Sequence, residues 1–501
     1  MLVQLDRSSP VPLYLQISNQ IRELILSGAL PEGSRLPPQR ELALELEVNR
    51  TTVVNAYQEL AADGLVDATI GRGTVVRTLS RPASPVTPSP LPWTEVFSLR
   101  TRLAYAPLIR DMMTLCAQKD VISFAAGVPA PDLYPLDEFR TVVDEVLAHH
   151  GRILLQHCPT EGYPPLREWL AERMAARGAR VSPRNILVLT GSQQGLDLVA
   201  RLLLDPGDIV VAESPSYLGV LQVFQAAGVR LLTIPLDERG MQVDVLEQIL
   251  VRNRPKLIYT LPTFQNPTGV TLSLERRYQL LALAQRYQVP ILEDDPYGEL
   301  RYEGTPVPSL KALDRYGHVL YLSTFSKMLF PGLRLGWLAA PEQVVERLTM
   351  IKQLTDLHTN TLGQWVLTEF CRRGLLDRHL ERLREVYPRR RDAMCAALER
   401  YCPAGMSWNR PAGGFYLWCH LPEGLRAREL LAEAARRQVV FIAGEACHVD
   451  GGGQEWMRLN FTYHPENLIT EGVRRLGQAM EELLQRQQSQ PAEALSLRPI
   501  V

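Results

Sequence analysis

Five prolines fall within the eleven residues from Pro82 to Pro92, and no regular element passes through such a stretch. Proline lacks an N–H and its ring clashes with the preceding helical turn, at roughly 3 kcal/mol in a helix interior, and it cannot donate to a central strand. The segment reads as an extended, semi-rigid spacer, so the chain must fold as separate bodies on either side of it. The expected organisation is one small domain over residues 1–77, a linker over 78–104, a large body over 105–485, and a polar, glutamine-rich tail over 486–501 expected to be disordered.

Composition narrows the classes. Of 501 residues, 46% are hydrophobic and 22% charged, close to the globular average, and no run approaches the roughly 18 apolar residues of a membrane span. The start, Met1-Leu2-Val3-Gln4-Leu5-Asp6, lacks the basic and apolar regions of a secretory signal. A cytoplasmic protein with no membrane partner is expected. Seven cysteines without a Cys-x-x-Cys pair predict reduced thiols, neither a disulfide scaffold nor a zinc ribbon, and no metal site. The net charge of −1 provides no global basic field, so any nucleic-acid binding must come from local placement.

The first 77 residues pattern as three helices and a short hairpin. Tyr14, Ile17, Ile21, Leu24 and Ile25 recur at helical spacing up to Gly28. Gln39 to Leu46 and Asn49 to Ala62 follow as two further helices joined by a turn at Glu47-Val48-Asn49, with Asn49 a suitable N-cap. Leu65-Val66 and Thr74-Val75-Val76 then flank a glycine-rich tip, which completes an α+β winged helix-turn-helix. In that layout the start of the third helix enters a major groove, with Arg50, Thr51 and Thr52 as readers and Arg35 and Arg40 beside them on phosphates or base edges. Arg72, followed by Gly73 in the wing, could reach a minor groove. Against this stands the domain's charge, seven arginines to nine acids, which also suits a packing domain with solvated arginines.

Beyond the linker, the runs 186–189, 209–212, 257–260, 291–294 and 319–322 alternate with helical stretches, the mark of an α/β body with a mostly parallel sheet. Four of its segments point to one chemistry. Lys327 is one of only five lysines among 54 basic residues, and it follows a strand through Thr324 and Ser326 with Arg334 just beyond. A lysine that forms a Schiff base needs a cofactor aldehyde held against it, and hydroxyls with an arginine hold a phosphate. Asn266 lies in the turn Thr263–Gly269, and Asp294 and Tyr297 close a buried-looking strand, where a carboxylate requires a positive partner. Thr190-Gly191-Ser192-Gln193 joins a strand to a helix whose first amides suit an anion.

Two resemblances follow from these residues. Leu36–Ala43, Val48–Val53, Ala56–Leu60, Asp63–Val66 and Gly71–Thr74 closely resemble the winged-helix domain of GntR-type bacterial regulators. The four segments of the body, over residues 105–485, resemble the fold type I, aspartate-aminotransferase-like pyridoxal 5'-phosphate proteins, which pair a mostly parallel large-domain sheet with a smaller α+β domain. That resemblance implies Lys327 as the Schiff-base lysine and proton shuttle, Asp294 as partner of the ring nitrogen, and Asn266 and Tyr297 on the ring oxygen. It also implies Tyr217 stacked on the ring, Ser192, Gln193, Thr324, Ser326 and Arg334 on the phosphate, and Arg458 with Gly127 at the substrate carboxylate. His157 stands where the family commonly has a tyrosine that reaches the neighbouring subunit. Together the halves resemble the MocR/GabR class of transcription regulators. This implies a homodimer that binds double-stranded DNA at repeated half-sites and responds to the cofactor or to a small amino compound. An aminotransferase with a vestigial or autoregulatory head, and an enzyme fused to a module that does not bind DNA, are the alternatives.

Overall fold

The computed structural model describes residues 3–7, 9, 11–69, 73–77, 91–98, 100–101 and 120–489. Most of the proline-rich linker, Arg72 and residues 490–501 lie outside this set. The chain divides into two compact units, Met1–Val96 and Phe97–Val501.

In the first unit, α1 (Leu13–Leu26), α2 (Gln39–Glu45) and α3 (Arg50–Ala62) precede a hairpin of β1 (Val66–Thr69) and β2 (Gly73–Val76). The expected face of α1 packs inward through Ile17, Ile21 and Ile25 against Leu42, Val53, Ala56 and Leu60. Gly28, at φ +78°, takes the left-handed conformation that ends the turn after α1. Asn49 caps α3, its Oδ1 accepting from the Thr51 amide at 3.0 Å. The Tyr57 hydroxyl donates to the Pro37 carbonyl at 2.8 Å, which fixes the approach to α2 against α3. Residue 35 adds a bridge to Val75 at the wing.

The second unit is built on an eight-stranded sheet of β4 (Ile186–Leu189), β5 (Ile209–Ser214), β6 (Arg230–Asp237), β7 (Gly240–Met241), β8 (Leu257–Thr260), β9 (Ile291–Asp294), β10 (Val319–Thr324) and β11 (Gly336–Ala339), with β3 (Ile122–Ser123) earlier in the chain. The order is β4-β11-β10-β9-β8-β5-β6-β7. The run from β10 to β6 is parallel, while β11 opposes both neighbours and β7 opposes β6. All five strands expected from sequence are present. Successive residues face opposite helix layers: Val210, Leu257, Tyr259, Leu292 and Leu320 join one apolar cluster, and Val211, Ile258, Ile291 and Val319 the other.

A smaller subdomain carries an antiparallel sheet of β12 (Ser407–Trp408), β13 (Tyr416–His420), β15 (Ile442–Ala443) and β16 (Trp456–Asn460), and β14 (Val439–Val440) pairs in parallel with β3. The last helix runs Glu466–Ser489. It therefore continues past 485, into the stretch expected as a tail: its apolar face of Ile469, Val473, Leu476 and Met480 packs into the core, and in the last turns Arg486 pairs with Glu482 and with Glu433. No helix among the described residues is long and apolar enough to cross a membrane.

Candidate functional site

The first unit presents α3 as a recognition-type helix. Arg35, Arg40, Arg50, Thr51 and Gly73 are exposed and Thr52 is half-buried. The unit's arginines fall into two sets. Arg7 donates to the Glu47 carbonyl at 2.8 Å, Arg22 to Asp63 at 3.0 Å, and Arg77 lies 3.7 Å from Asp67. The side chains of Arg35, Arg40 and Arg50 make no ion pair or hydrogen bond among the described residues. Part of the acidic charge that makes the unit negative as a whole is thus taken up by other arginines, and the guanidinium groups of the three around the helix-turn-helix are left exposed. Arg72 lies outside the described residues.

In the second unit the carboxyl ends of the parallel strands open into a cavity of about 320 Å³. Every residue assigned to cofactor or substrate in the body lines it: Ser192 and Gln193 at the start of the helix Ser192–Leu203, Tyr217 after β5, Asn266 after β8, Asp294 and Tyr297 at the end of β9, Thr324, Ser326 and Lys327 after β10, Arg334 before β11, Arg458 on β16, and Gly127. The ends of the parallel strands deliver most of these side chains to one edge, as open α/β sheets do, while Arg458 comes from the smaller sheet.

One wall is an anion cup. Thr324 Oγ1 accepts from the Ser326 amide and donates to the Leu335 carbonyl, both at 3.1 Å. Arg334 takes a left-handed backbone at φ +52° and reaches Ser326 Oγ and the Thr190 carbonyl, each at 3.4 Å. Gly191, at φ +83°, is required here, since a Cβ on it would lie 2.4 Å from Arg334 Nη2. Behind the cup, Asp356 Oδ2 accepts from Thr190 at 3.0 Å and Gln194 at 2.7 Å, while its Oδ1 pairs with buried Lys352 at 2.6 Å.

At the cavity floor Asp294 is 3% exposed. Its Oδ2 accepts from the Tyr259 hydroxyl at 2.9 Å, and its Oδ1 is buried without a partner. Burial, with Asp295 adding negative charge, pushes this carboxyl up to about 7, against the Tyr259 bond and Lys327. Lys327 opens onto the cavity, and its Nζ donates to the Gly127 carbonyl. Burial, aided by Arg458 and Arg334 and opposed by Asp294, lowers its amine to about 8. Arg458 donates to Asn266 Oδ1 at 2.9 Å and to the Ala125 carbonyl at 2.7 Å, and its guanidinium stacks 4.2 Å from the Tyr416 ring centre. Tyr217 lies against Gly219, where a Cβ would come within 2.5 Å of its ring.

The lining also includes Leu218, Gly219, Leu261, Tyr416, Ile442 and Cys447, which sequence reasoning did not assign. Tyr416 is the polar one aimed at the reacting groups; it begins a strand after Gly413-Gly414, a pattern that signals a turn and nothing about chemistry. His157 does not line the cavity. It is exposed, and its Nδ1 sits 3.0 Å from His358 Nε2.

These residues fit pyridoxal 5'-phosphate. The unpartnered Asp294 oxygen asks for a buried positive donor, the amine of Lys327 is held partly neutral, and the cup of Ser192, Thr324, Ser326 and Arg334 offers donors to an anion. Residues 119–476 match the family described as aminotransferase class I and II, and residues 13–76 match bacterial regulatory proteins of the gntR family. YisV of Bacillus subtilis (strain 168), an uncharacterized HTH-type transcriptional regulator, is 35% identical over 481 residues, covering 96% of this chain and 98% of its own. The probable rhizopine catabolism regulatory protein MocR of Rhizobium meliloti is 32% identical over 444 residues, 88% of this chain and 87% of its own. LysN, the alpha-aminoadipate aminotransferase of Thermus thermophilus solved in complex with N-(5'-phosphopyridoxyl)-L-leucine, superposes with a TM-score of 0.75 at 40% identity, covering 79% of this chain and 100% of that one.

Proposed function

The chain belongs to the class I and II aminotransferase family and carries a gntR-family DNA-binding head, the fused architecture of MocR-type regulators, and we propose that its body senses pyridoxal 5'-phosphate, an amino compound, or both, and thereby governs how the head sits on DNA. The observation that carries this reading is the conjunction in one chain of a helix-turn-helix with three exposed arginines, unpaired among the described residues, and a cavity with Lys327, Asp294 and Arg458 in place.

Pyridoxal 5'-phosphate is the family's cofactor; when bound it supplies an aldehyde that condenses with amines and a ring that takes up electron density. The protein's part is to bind, orient and move protons. Arg334, Ser192, Gln193, Thr324 and Ser326 hold the phosphate. Asp294 holds a proton at the ring nitrogen, Asn266 and Tyr297 hold the ring oxygen, and Tyr217 covers the face. The Lys327 amine, lowered to about 8, is a nucleophile near neutral pH and an acceptor for a proton from the substrate carbon. Arg458 takes the α-carboxylate of an amino compound, and Gly127 leaves it room. In the head, Arg50, Thr51 and Thr52 read base edges while Arg35 and Arg40 hold phosphates, with Arg72 and Gly73 at the wing.

The regulator works as a homodimer on repeated half-sites. Support comes from Ile153 (62% exposed) and Leu155 (73%) together with Leu354 (85%) and Leu357 (55%), on two segments tied by the His157–His358 contact and by Thr361 donating to the Gln156 carbonyl at 3.3 Å. Apolar exposure of this kind marks an interaction face. The described cysteines are all unpaired, which suits a reducing cytoplasm. The ligand must favour one arrangement of the heads by a real free-energy difference.

The test is binding of the full-length protein to DNA upstream of its own gene, with and without pyridoxal 5'-phosphate, for wild type and Lys327→Ala. Specific binding that responds to the cofactor only in the wild type is expected. A cofactor-loaded protein without specific binding in any state refutes the regulator reading. The second reading, an aminotransferase acting on an amino acid with a 2-oxo acid acceptor, is favoured by the intact lysine, aspartate and arginine and by the 40% identity to LysN, above that to either regulator. Rapid turnover on a panel of amino acids with 2-oxoglutarate or pyruvate would establish it.

A further inference from the structure

Tyr416 is 1% exposed and meets the reacting groups on three sides. Its hydroxyl accepts from the Tyr297 hydroxyl at 3.0 Å. Its ring carries the Arg458 guanidinium at 4.2 Å. A Cβ on Gly127 would lie 2.9 Å from its hydroxyl and 4.0 Å from Lys327 Nζ, so the hydroxyl is wedged beside the segment that accepts from the lysine. A phenylalanine would fill the same apolar space and stack under the same guanidinium. The hydroxyl therefore calls for a role of its own, since a buried phenol is retained where it finds a partner.

We infer that Tyr416 is a positioning residue that acts through Tyr297, setting the strength of the hydrogen bond that Tyr297 gives to the cofactor's ring oxygen. The inference rests on the reading that pyridoxal 5'-phosphate is held on Lys327. Two phenols share one hydrogen bond, and either can donate. With a negative ring oxygen before it, Tyr297 turns its proton to that oxygen, and its own oxygen becomes free to accept from Tyr416. Bonds in series polarise one another, so Tyr297 becomes the better donor. Without the Tyr416 hydroxyl, the ring oxygen keeps more of its charge, and the adjacent lysine-linked nitrogen holds its proton to higher pH.

The test is a pH titration of the visible absorbance of the lysine-linked chromophore in full-length wild type, Tyr416→Phe, Tyr297→Phe and the double variant. Loss of one hydrogen bond predicts that Tyr416→Phe raises the titration midpoint by about 0.4 to 1 pH unit, and that it changes nothing in the Tyr297→Phe background. An unchanged midpoint in Tyr416→Phe overturns the inference, as does an equal shift in both backgrounds, which would mean direct action on the ring. A purely structural role lowers the melting temperature and leaves the midpoint in place, and that also overturns it. A wild type that forms no chromophore at all refutes the cofactor reading itself, and this inference with it.

Discussion

Replacing Asp294 by asparagine should strengthen the cofactor-free protein at alkaline pH and weaken its hold on the cofactor. The carboxyl is buried, with one oxygen bonded to Tyr259 and the other without a partner. Burial raises it from 3.8 to about 7. Between those two values the folded chain binds a proton that the unfolded chain does not, so stability falls as pH rises through this window. Well above pH 7 the ionised carboxylate destabilises the bare fold by at most roughly 4 kcal/mol, at 1.36 kcal/mol per pH unit. Asparagine keeps an acceptor for Tyr259 and carries no charge. Denaturant unfolding of the cofactor-free variant should show a gain of a few kcal/mol over wild type at pH 8.5, shrinking towards nothing near pH 4. Cofactor affinity should move the other way: loss of a charged hydrogen bond, about 1.5 to 3 kcal/mol, weakens the dissociation constant by roughly 10- to 150-fold. A variant no more stable than wild type at pH 8.5 that also binds the cofactor undiminished would refute both the buried-charge argument and the assignment of Asp294 to the ring nitrogen.

Three further outcomes are expected. The amine of Lys327, lowered to about 8, is the reactive form only when neutral, so the rate of chromophore formation on adding cofactor should rise with pH and level off above about pH 8 in stopped-flow absorbance; a flat profile contradicts it. Gly191→Ala forces a side chain into a left-handed φ of +83° and against Arg334, and should weaken cofactor binding at least tenfold, the equivalent of about 1.4 kcal/mol; unchanged titration calorimetry argues against the anion cup. Arg50→Ala should lower specific DNA affinity by about 1 to 3 kcal/mol, Arg40→Ala should reduce the salt slope by about one, and Arg22→Ala, whose guanidinium is held by Asp63, should leave that slope unchanged in fluorescence anisotropy.

Local signals carried much of this molecule. Proline density separated the bodies, period-3.6 spacing placed α1, Asn49 announced the start of α3, and apolar runs of four residues marked β4, β5 and β10, because each depends on neighbours close in sequence. Lys327, Asp294, Asn266 and Arg458 were legible as residue types in recognisable segments. The strands β6, β7 and β11 were not: β6 contains Pro235 and a single buried residue, β7 is two residues long, β11 pairs with the distant β4, and past residue 485 the last helix carries no apolar residue.

Convergence was decided by tertiary structure alone. The parallel strands β5, β8, β9 and β10, together with β16 of the smaller sheet, bring residues from 127 to 458 around one cavity. Burial then changes their chemistry, raising Asp294 and lowering Lys327, which no sequence position encodes by itself. Tyr416 shows the difference most plainly: its hydroxyl acquires a role only because β13 lies across from Tyr297 and Arg458. The head makes the same point with charge, for composition counts its arginines together, while folding pairs Arg22 and Arg77 with acids and leaves Arg35, Arg40 and Arg50 open around the helix-turn-helix.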